Sequence, residues 1–247
     1  MAISTLGSNR AVCNGQKRLD FWKKIVPHYP IKIVTLAPEL PGAVKLIHYL
    51  HENGILVSCG HTEATHDDLE RAKLAGLSMV THLFNAMRSL HHRESGPIGF
   101  VLGDRAVPYS LIADGKHVNG SAIKLAWNAF SEGLILVTDS IAALGLKSGH
   151  FSLGGKEIEV RENAAYLSKS DVLAGGMCPM NKMVLHLKKI TGCTLPEAIA
   201  CATSKPAKLL GLEGKKGSLE AHADADFILL DPETLKVHAS YVSGTLI

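Results

Sequence analysis

The sequence predicts an α/β fold built on a parallel sheet, and three observations carry the prediction. Short apolar runs recur from Lys32 onward, amphipathic stretches of helical period separate them, and most strand–helix units span about 21–25 residues. The runs are residues 33–36, 55–58, 79–82, 109–113 and 134–138, mostly branched or apolar, which suits strands buried on both faces. Between the first two, residues 41–52 place Val44, Leu46, Ile47 and Leu50 near helical spacing. Thr65 caps a helix expected over 67–74, with Asp67 and Asp68 in its first turn and Gly76 after its end. A third helix is expected over 121–130, closed by Gly133. Strands alternating with helices at this spacing imply parallel pairing through right-handed crossovers. After Asp139 the rhythm changes. Residues 151–160 and 165–167 read as a hairpin with Gly154 and Gly155 nearby, and 180–190 read as a helix. Thr194 and Glu197 form a capping-box pattern that opens another helix over 196–203. Two strand-like runs, 227–230 and 237–242, flank Asp231 and Pro232 near the end.

Composition excludes several classes. The chain has 247 residues, 46% apolar and 20% charged, enough for a sizeable core and unlike a disordered or fibrous chain. Its 26 basic and 23 acidic residues leave a formal charge of +3 with no run of five Lys/Arg, so nucleic acid is not an expected partner. No apolar stretch approaches the ~18 residues of a membrane-spanning helix, and no membrane partner is expected. Residues 1–20 lack the apolar centre of a secretory signal. Five cysteines (Cys13, Cys59, Cys178, Cys193 and Cys201), none spaced Cys-x-x-Cys, indicate neither a disulfide framework nor a zinc knuckle. The expected setting is a reducing compartment, the cytoplasm.

Polar residues fall where the strands end. The run 55–58 leads into Gly60 and His61. The next ends at His82, followed by Asn85 and Ala86. The fourth leads into Asp114, Gly115, Lys116 and His117, and the fifth into Asp139. In a parallel α/β barrel the carboxyl ends of the strands form the active-site rim, so two histidines and an aspartate would converge there. Neutral imidazoles and a carboxylate suit zinc or iron, and a carboxylate beside an activated water moves protons. Singly each signal is ordinary. A strand-end histidine is more often a hydrogen-bonded loop residue, Asp139 alone could cap a helix, and Glu39 after Pro38 could be a surface charge. His48, His51 and His66 lie on or beside helices and are expected in solvent, and His91 and His92 could form a polar loop. Together the strand ends point to a metal-assisted hydrolase.

Six ordered motifs add a resemblance. VTLAPEL (34–40), GHTEA (60–64), THLFNAM (81–87), HHRESGPIG (91–99), IADGKHV (112–118) and LVTDSIAALG (136–145) resemble the N-acetylglucosamine-6-phosphate deacetylases. These belong to the amidohydrolase superfamily of metal-dependent β/α barrels. SLEAHADADFILLD (218–231) is similar to the family's closing strand, and HHRE and ALGL look closer to the animal-type enzymes. The resemblance implies that His61 and His82 bind a divalent metal and that Asp139 is the general base and acid. It implies that Asn85, Ala86 and Arg93 hold the sugar phosphate, with Arg93 reaching across a homodimer. It makes Asp114, Gly115, Lys116 and His117 a substrate-binding turn with His117 in direct contact. It assigns Leu173, Ala174 and Gly175 to a loop closing over the sugar, although Ala174 and Gly176 stand where serines are commoner. The implied reaction is hydrolysis of N-acetylglucosamine 6-phosphate to glucosamine 6-phosphate and acetate.

One departure stands out. The family's His-Leu-Glu-Gly-Pro motif, whose glutamate is the third metal ligand, is not in the sequence. The 108 residues from Lys32 to Asp139 supply five strands, and the 31 before them are too few for three more units. The expected architecture is therefore a partial TIM-type (β/α) barrel, about the last five strands, with a small C-terminal β segment. Its divisions are a divergent segment over 1–31, the partial barrel over 32–210 and the β segment over 211–247. Glu39 is a nearby carboxylate that could substitute as ligand, although it is not the family's ligand. The alternative function is a catalytically impaired homologue that binds sugar phosphate or associates with a full-length subunit.

Overall fold

The computed structural model describes residues 3–5, 15–153, 155–161, 164–170 and 172–247; Cys13 and Gly154 lie outside them. The chain divides into two compact units, residues 1–110 with 129–133, and residues 111–128 with 134–247.

The first unit is the parallel sheet with its helices. In chain order it holds β1 (Ile3–Thr5), α1 (Gly15–Ile25), β2 (Ile33–Leu36), α2 (Ala43–Glu52) and β3 (Leu56–Cys59), followed by α3 (His66–Leu74), β4 (Leu77–Val80) and α4 (Gly96–Leu102). The strand β5 (Tyr109–Leu111) ends it, and β1, β2, β3, β4 and β5 pair in that order, all parallel. Parallel neighbours joined by helices are what the alternating pattern requires. Val34, Val57 and Val80 are fully buried in adjacent strands. The helix α2 covers the sheet with Ala43, Leu46, Ile47 and Leu50, the i, i+3, i+4, i+7 face of a single stripe. It starts two residues later than expected because Gly42 takes φ 79°, a left-handed conformation outside the helix.

The second unit begins at Leu111. It contains most of α5 (Gly120–Phe130) and β6 (Leu134–Leu136). Past β6, the Val137 N–H donates to the Leu111 carbonyl at 3.1 Å. Instead of a single hairpin, β7 (Gly149–Leu153), β8 (Lys156–Arg161), β9 (Ala164–Leu167) and β10 (Leu173–Gly175) form a four-stranded antiparallel meander. Ile158, Val160, Ala143 and Ala165 form its small core. The helices α6 (Met180–Thr191), α7 (Leu195–Ala200) and α8 (Ser204–Leu209) follow. The tail is a three-stranded antiparallel sheet of β11 (Phe227–Leu230), β12 (Val237–Val242) and β13 (Thr245–Leu246), with Phe227 stacked on Tyr241 at 4.5 Å.

Three strands stop two residues short of their expected ends: β4 at Val80, β5 at Leu111 and β6 at Leu136. His82 and Asp139, at φ 37° and 46°, have left the extended region, so the apolar run outlasts the ladder.

Candidate functional site

The register of two neighbouring strands builds the first group. Cys59 of β3 pairs with Val80 of β4, and His61 and His82 each stand two residues further on. The two rings therefore meet: Nε2 of His61 lies 3.0 Å from Nε2 of His82, with ring planes 83° apart. Two nitrogens bound at ~2.0–2.1 Å to one tetrahedral cation stand about 3.3 Å apart, so this donor pair fits a shared divalent ion. His82 is 4% exposed, and its backbone N–H donates to Ser110 Oγ at 2.7 Å. Beneath the rings a run of hydroxyls braces the strand ends, Ser58 to Thr81 at 2.5 Å and Thr81 to Thr35 at 3.2 Å. Gly60 must be glycine there, because a Cβ would sit 2.9 Å from Thr35 Cγ2 and 3.0 Å from Thr81 Cβ. Burial pushes the Cys59 thiol well up, which leaves it an inert neutral group.

The loop after β4 is strained and tied down. His82, Phe84 and Ala86 all have positive φ, at 37°, 79° and 49°. Asn85 Nδ2 donates to the carbonyls of His82 at 3.2 Å and Leu83 at 3.3 Å, so both amide protons hold the turn. Ala86 presents its carbonyl to the Thr62 N–H at 3.0 Å. Arg93 lies in the exposed turn bridged by His91 and Glu94, and its backbone N–H donates to His91 Nδ1 at 3.2 Å.

Two further groups belong to the second unit. Asp114 closes its turn on itself: Oδ1 accepts the N–H groups of Lys116 and His117, both at 2.8 Å, and Oδ2 accepts His117 Nδ1 at 2.7 Å. Burial alone would raise the Asp114 carboxyl, but the His117 side chain and these N–H groups outweigh it and hold it below its ordinary value. With Nδ1 bound, His117 keeps Nε2 for another partner. Gly115, at φ 74°, lets the turn pass the His186 ring, whose Cε1 would lie 2.7 Å from a Cβ. His186 Nδ1 in turn donates to the Ala113 carbonyl at 2.8 Å.

Asp139 is exposed at φ 46°, and its carbonyl accepts the Gly176 N–H at 2.7 Å. That bond, with Ile141 N–H to the Gly176 carbonyl at 3.3 Å, joins the Asp139 segment to Leu173, Ala174 and Gly175 of β10. The absent serine at Gly176 has a steric reason, since a Cβ would fall 1.9 Å from the Thr138 carbonyl oxygen. Thr62, Ser110, Arg88 and His186 were not singled out in the sequence. Their signal was weak: Ser110 is a hydroxyl inside an apolar run, Thr62 and Arg88 lie in polar segments after strands, and His186 is a histidine on a helix.

A family model for the amidohydrolases matches residues 34–246, most of the chain. The chain belongs to the amidohydrolase family. Members of this family typically depend on a divalent metal. This amidohydrolase is 44% identical to the N-acetylglucosamine-6-phosphate deacetylases of Bos taurus and Homo sapiens over 222 residues, 88% of this chain and 54% of each of theirs. It therefore spans about half the length of the curated relatives it matches. The Pasteurella multocida enzyme of that name has a crystal structure at TM-score 0.87 and 31% identity, covering 92% of this chain and 60% of that one. A Mycobacterium smegmatis structure, in complex with N-acetyl-D-glucosamine-6-phosphate, gives 0.84 at 32% identity over 95% of this chain and 61% of that one.

A second histidine cluster in the amidohydrolase invites comparison. His66 Nε2 lies 3.6 Å from Asp104 Oδ2 and 4.0 Å from Glu70 Oε1, a donor set within 4.8 Å that could hold a cation. Its carboxylates are exposed, so ion pairing through solvent accounts for it without a metal. His66 is nonetheless not simply solvated: Ser95 Oγ contacts Nδ1 at 3.1 Å.

Proposed function

We propose that this amidohydrolase removes the N-acetyl group of N-acetylglucosamine 6-phosphate by metal-dependent hydrolysis, giving glucosamine 6-phosphate and acetate. The observation that carries this reading is the pair of imidazole nitrogens 3.0 Å apart at adjoining strand ends, in a chain 44% identical to curated deacetylases of that name. A divalent ion of zinc or iron type, held by His61 and His82, supplies Lewis acidity toward the amide carbonyl. The Asp139 carboxylate takes a proton from the attacking water and delivers it to the departing amine nitrogen. His117, its Nδ1 fixed by Asp114, offers Nε2 to the substrate. Arg93 sets a planar fork against the phosphate oxygens, across a cytoplasmic homodimer. Asn85 and Ala86 hold the sugar phosphate with Arg93. Asp114, Gly115 and Lys116 form the substrate-binding turn with His117, and Leu173, Ala174 and Gly175 close over the sugar. In this reading β2 to β6 are about the last five strands of a (β/α) barrel.

The second reading is a catalytically impaired homologue that still binds sugar phosphate or pairs with a full-length subunit. It is favoured by Glu39, the carboxylate expected as a substitute third ligand, because both its oxygens are already engaged by Thr62 and Glu63. One experiment separates the two. The purified 247-residue protein is supplied with zinc or ferrous iron and assayed for acetate release, while sugar-phosphate binding is titrated in parallel. Release that His61→Ala and His82→Ala abolish supports the first reading; binding without release supports the second. A chain that neither binds nor hydrolyses N-acetylglucosamine 6-phosphate overturns both.

A further inference from the structure

We propose that Glu39 is a positioning residue, a clamp that fixes the His61 turn, and not a metal ligand. The inference rests on the reading of His61 and His82 as the metal pair. His61 takes φ 51°, a left-handed conformation that a residue with a Cβ keeps only when its surroundings hold it. The hold comes from the two residues that follow. Thr62 Oγ1 donates to Glu39 Oε2 at 2.5 Å, and the Glu63 N–H donates to Glu39 Oε1 at 2.8 Å. The loop after β4 grips the same two residues. Thr62 N–H donates to the Ala86 carbonyl at 3.0 Å, Arg88 N–H donates to the Thr62 carbonyl at 3.1 Å, and Arg88 Nε donates to the Glu63 carbonyl at 3.0 Å. Thr62 is only 2% exposed, so its hydroxyl depends on these partners; besides donating to Glu39, it accepts the Ala64 N–H at 3.0 Å.

Three successive strand ends are thus joined at the residue beside His61. Glu39 follows β2, Thr62 follows β3, and Ala86 and Arg88 follow β4. The carboxylate suits the task for a simple reason. It is an acceptor only, and each of its oxygens meets one donor from adjacent residues, a two-point grip that fixes orientation as well as position. Because His82 also follows β4, two residues past its end, the clamp sets one imidazole nitrogen against the other.

The test uses the full chain in four variants and two readouts. Amide hydrogen exchange is followed on the metal-free protein, and zinc affinity is measured by competition with a chromogenic chelator. Glu39→Ala is expected to speed exchange of the Glu63 amide at least tenfold and to weaken zinc about 10–100-fold, the usual effect of losing a partner that orients a ligand. Glu39→Gln is expected to stay within about threefold of the parent in both. Its amide oxygen still accepts the Glu63 N–H, and its amide nitrogen donates to Thr62 Oγ1 once the hydroxyl turns. Thr62→Val is expected to weaken zinc as Glu39→Ala does, with every carboxylate intact. If Glu39→Gln loses zinc as fully as Glu39→Ala while Glu63 exchange is unchanged, Glu39 is a ligand and the proposal is overturned. Parent-like behaviour of Glu39→Ala in both readouts overturns it as well. His61→Ala separates the underlying reading: zinc bound as tightly as by the parent removes the histidine pair, and the exchange data alone then judge the clamp.

Discussion

Positive φ at residues bearing a Cβ is uncommon, and several of the residues proposed for the site have it. His61, His82 and Asp139 carry it within three residues of a strand end, and Ala86 carries it in the loop after β4. Backbone strain of this kind aims a side chain away from the course of the ladder, which is how a strand end becomes a site. Two predictions belong at this scale. Asp139→Asn is expected to lower kcat by roughly a hundredfold or more with KM near the parent value, because an amide cannot accept the proton of the attacking water. A kcat within tenfold of the parent in any active preparation removes Asp139 from the proton path. Arg93→Ala and His117→Ala are expected to weaken N-acetylglucosamine 6-phosphate roughly ten- to a hundredfold more than unphosphorylated N-acetylglucosamine, the range for one charge-assisted hydrogen bond. Isothermal titration with both sugars decides it, and equal losses mean that neither residue reads the phosphate.

At the level of elements, local chemistry and burial set different magnitudes. The helix α7 opens with a full capping box: Glu197 N–H donates to Thr194 Oγ1 at 3.4 Å, and Thr194 N–H donates to Glu197 Oε2 at 2.7 Å. Thr194→Ala is expected to cost about 1 kcal/mol. Leu50 is fully buried on the sheet face of α2, and Leu50→Ala should cost about 2–5 kcal/mol through lost transfer and a residual cavity. Chemical denaturation of both variants checks the ranking, and a Thr194→Ala loss equal to that of Leu50→Ala defeats it. The capping box and the strands β2, β11 and β12 were legible because each rests on a local signal, a cap spacing or an uninterrupted apolar run. The helix α3 carried more than its sequence announced, since Asp68 completes a box on Thr65. Other elements were not legible. The helix α4 is a short apolar segment behind Pro97, with no polar face to set a period, and α1 has weak patterning around the buried Trp22. The histidine pair could be read from its place at two successive strand ends, although their equal two-residue offsets needed the observed ends of β3 and β4. The Glu39–Thr62 clamp could not, because it joins residues 23 apart through a contact that only the strand register creates.

Across the whole chain, stability against pH follows from how the acids are held. Asp114 and Asp68 would be raised by burial, but hydrogen bonds from His117 and Lys116 in the one case, and from Thr65 with Arg71 in the other, bring both below the ordinary 3.8. Glu94 is lowered by the His66 and Gly96 N–H groups, Glu197 by Thr194, Asp226 by Lys216, and Asp231 by Thr234. A carboxyl with a depressed folded value binds fewer protons folded than unfolded as pH falls. Its contribution is complete above the ordinary carboxylate range and is lost as pH drops through the folded value. Lys216 runs the other way. Asp224 and Asp226 raise it above 10.5, so its contribution is complete below that value and is lost as pH climbs through the higher folded one. These groups therefore add no slope between about pH 6 and 9, an acid limb below about pH 4.5 and an alkaline limb above about pH 10.5. The expected result is a melting temperature, followed by scanning calorimetry, that falls steadily from pH 5 to pH 3. Asp114→Asn sharpens the test. Asparagine keeps an oxygen for the Lys116 and His117 N–H groups but cannot titrate, so the variant should start less stable at pH 7 and lose less on acidification. An acid limb as steep in Asp114→Asn as in the parent would show that the His117 pair contributes nothing to it, and a melting temperature that rises toward pH 3 would contradict the whole assignment.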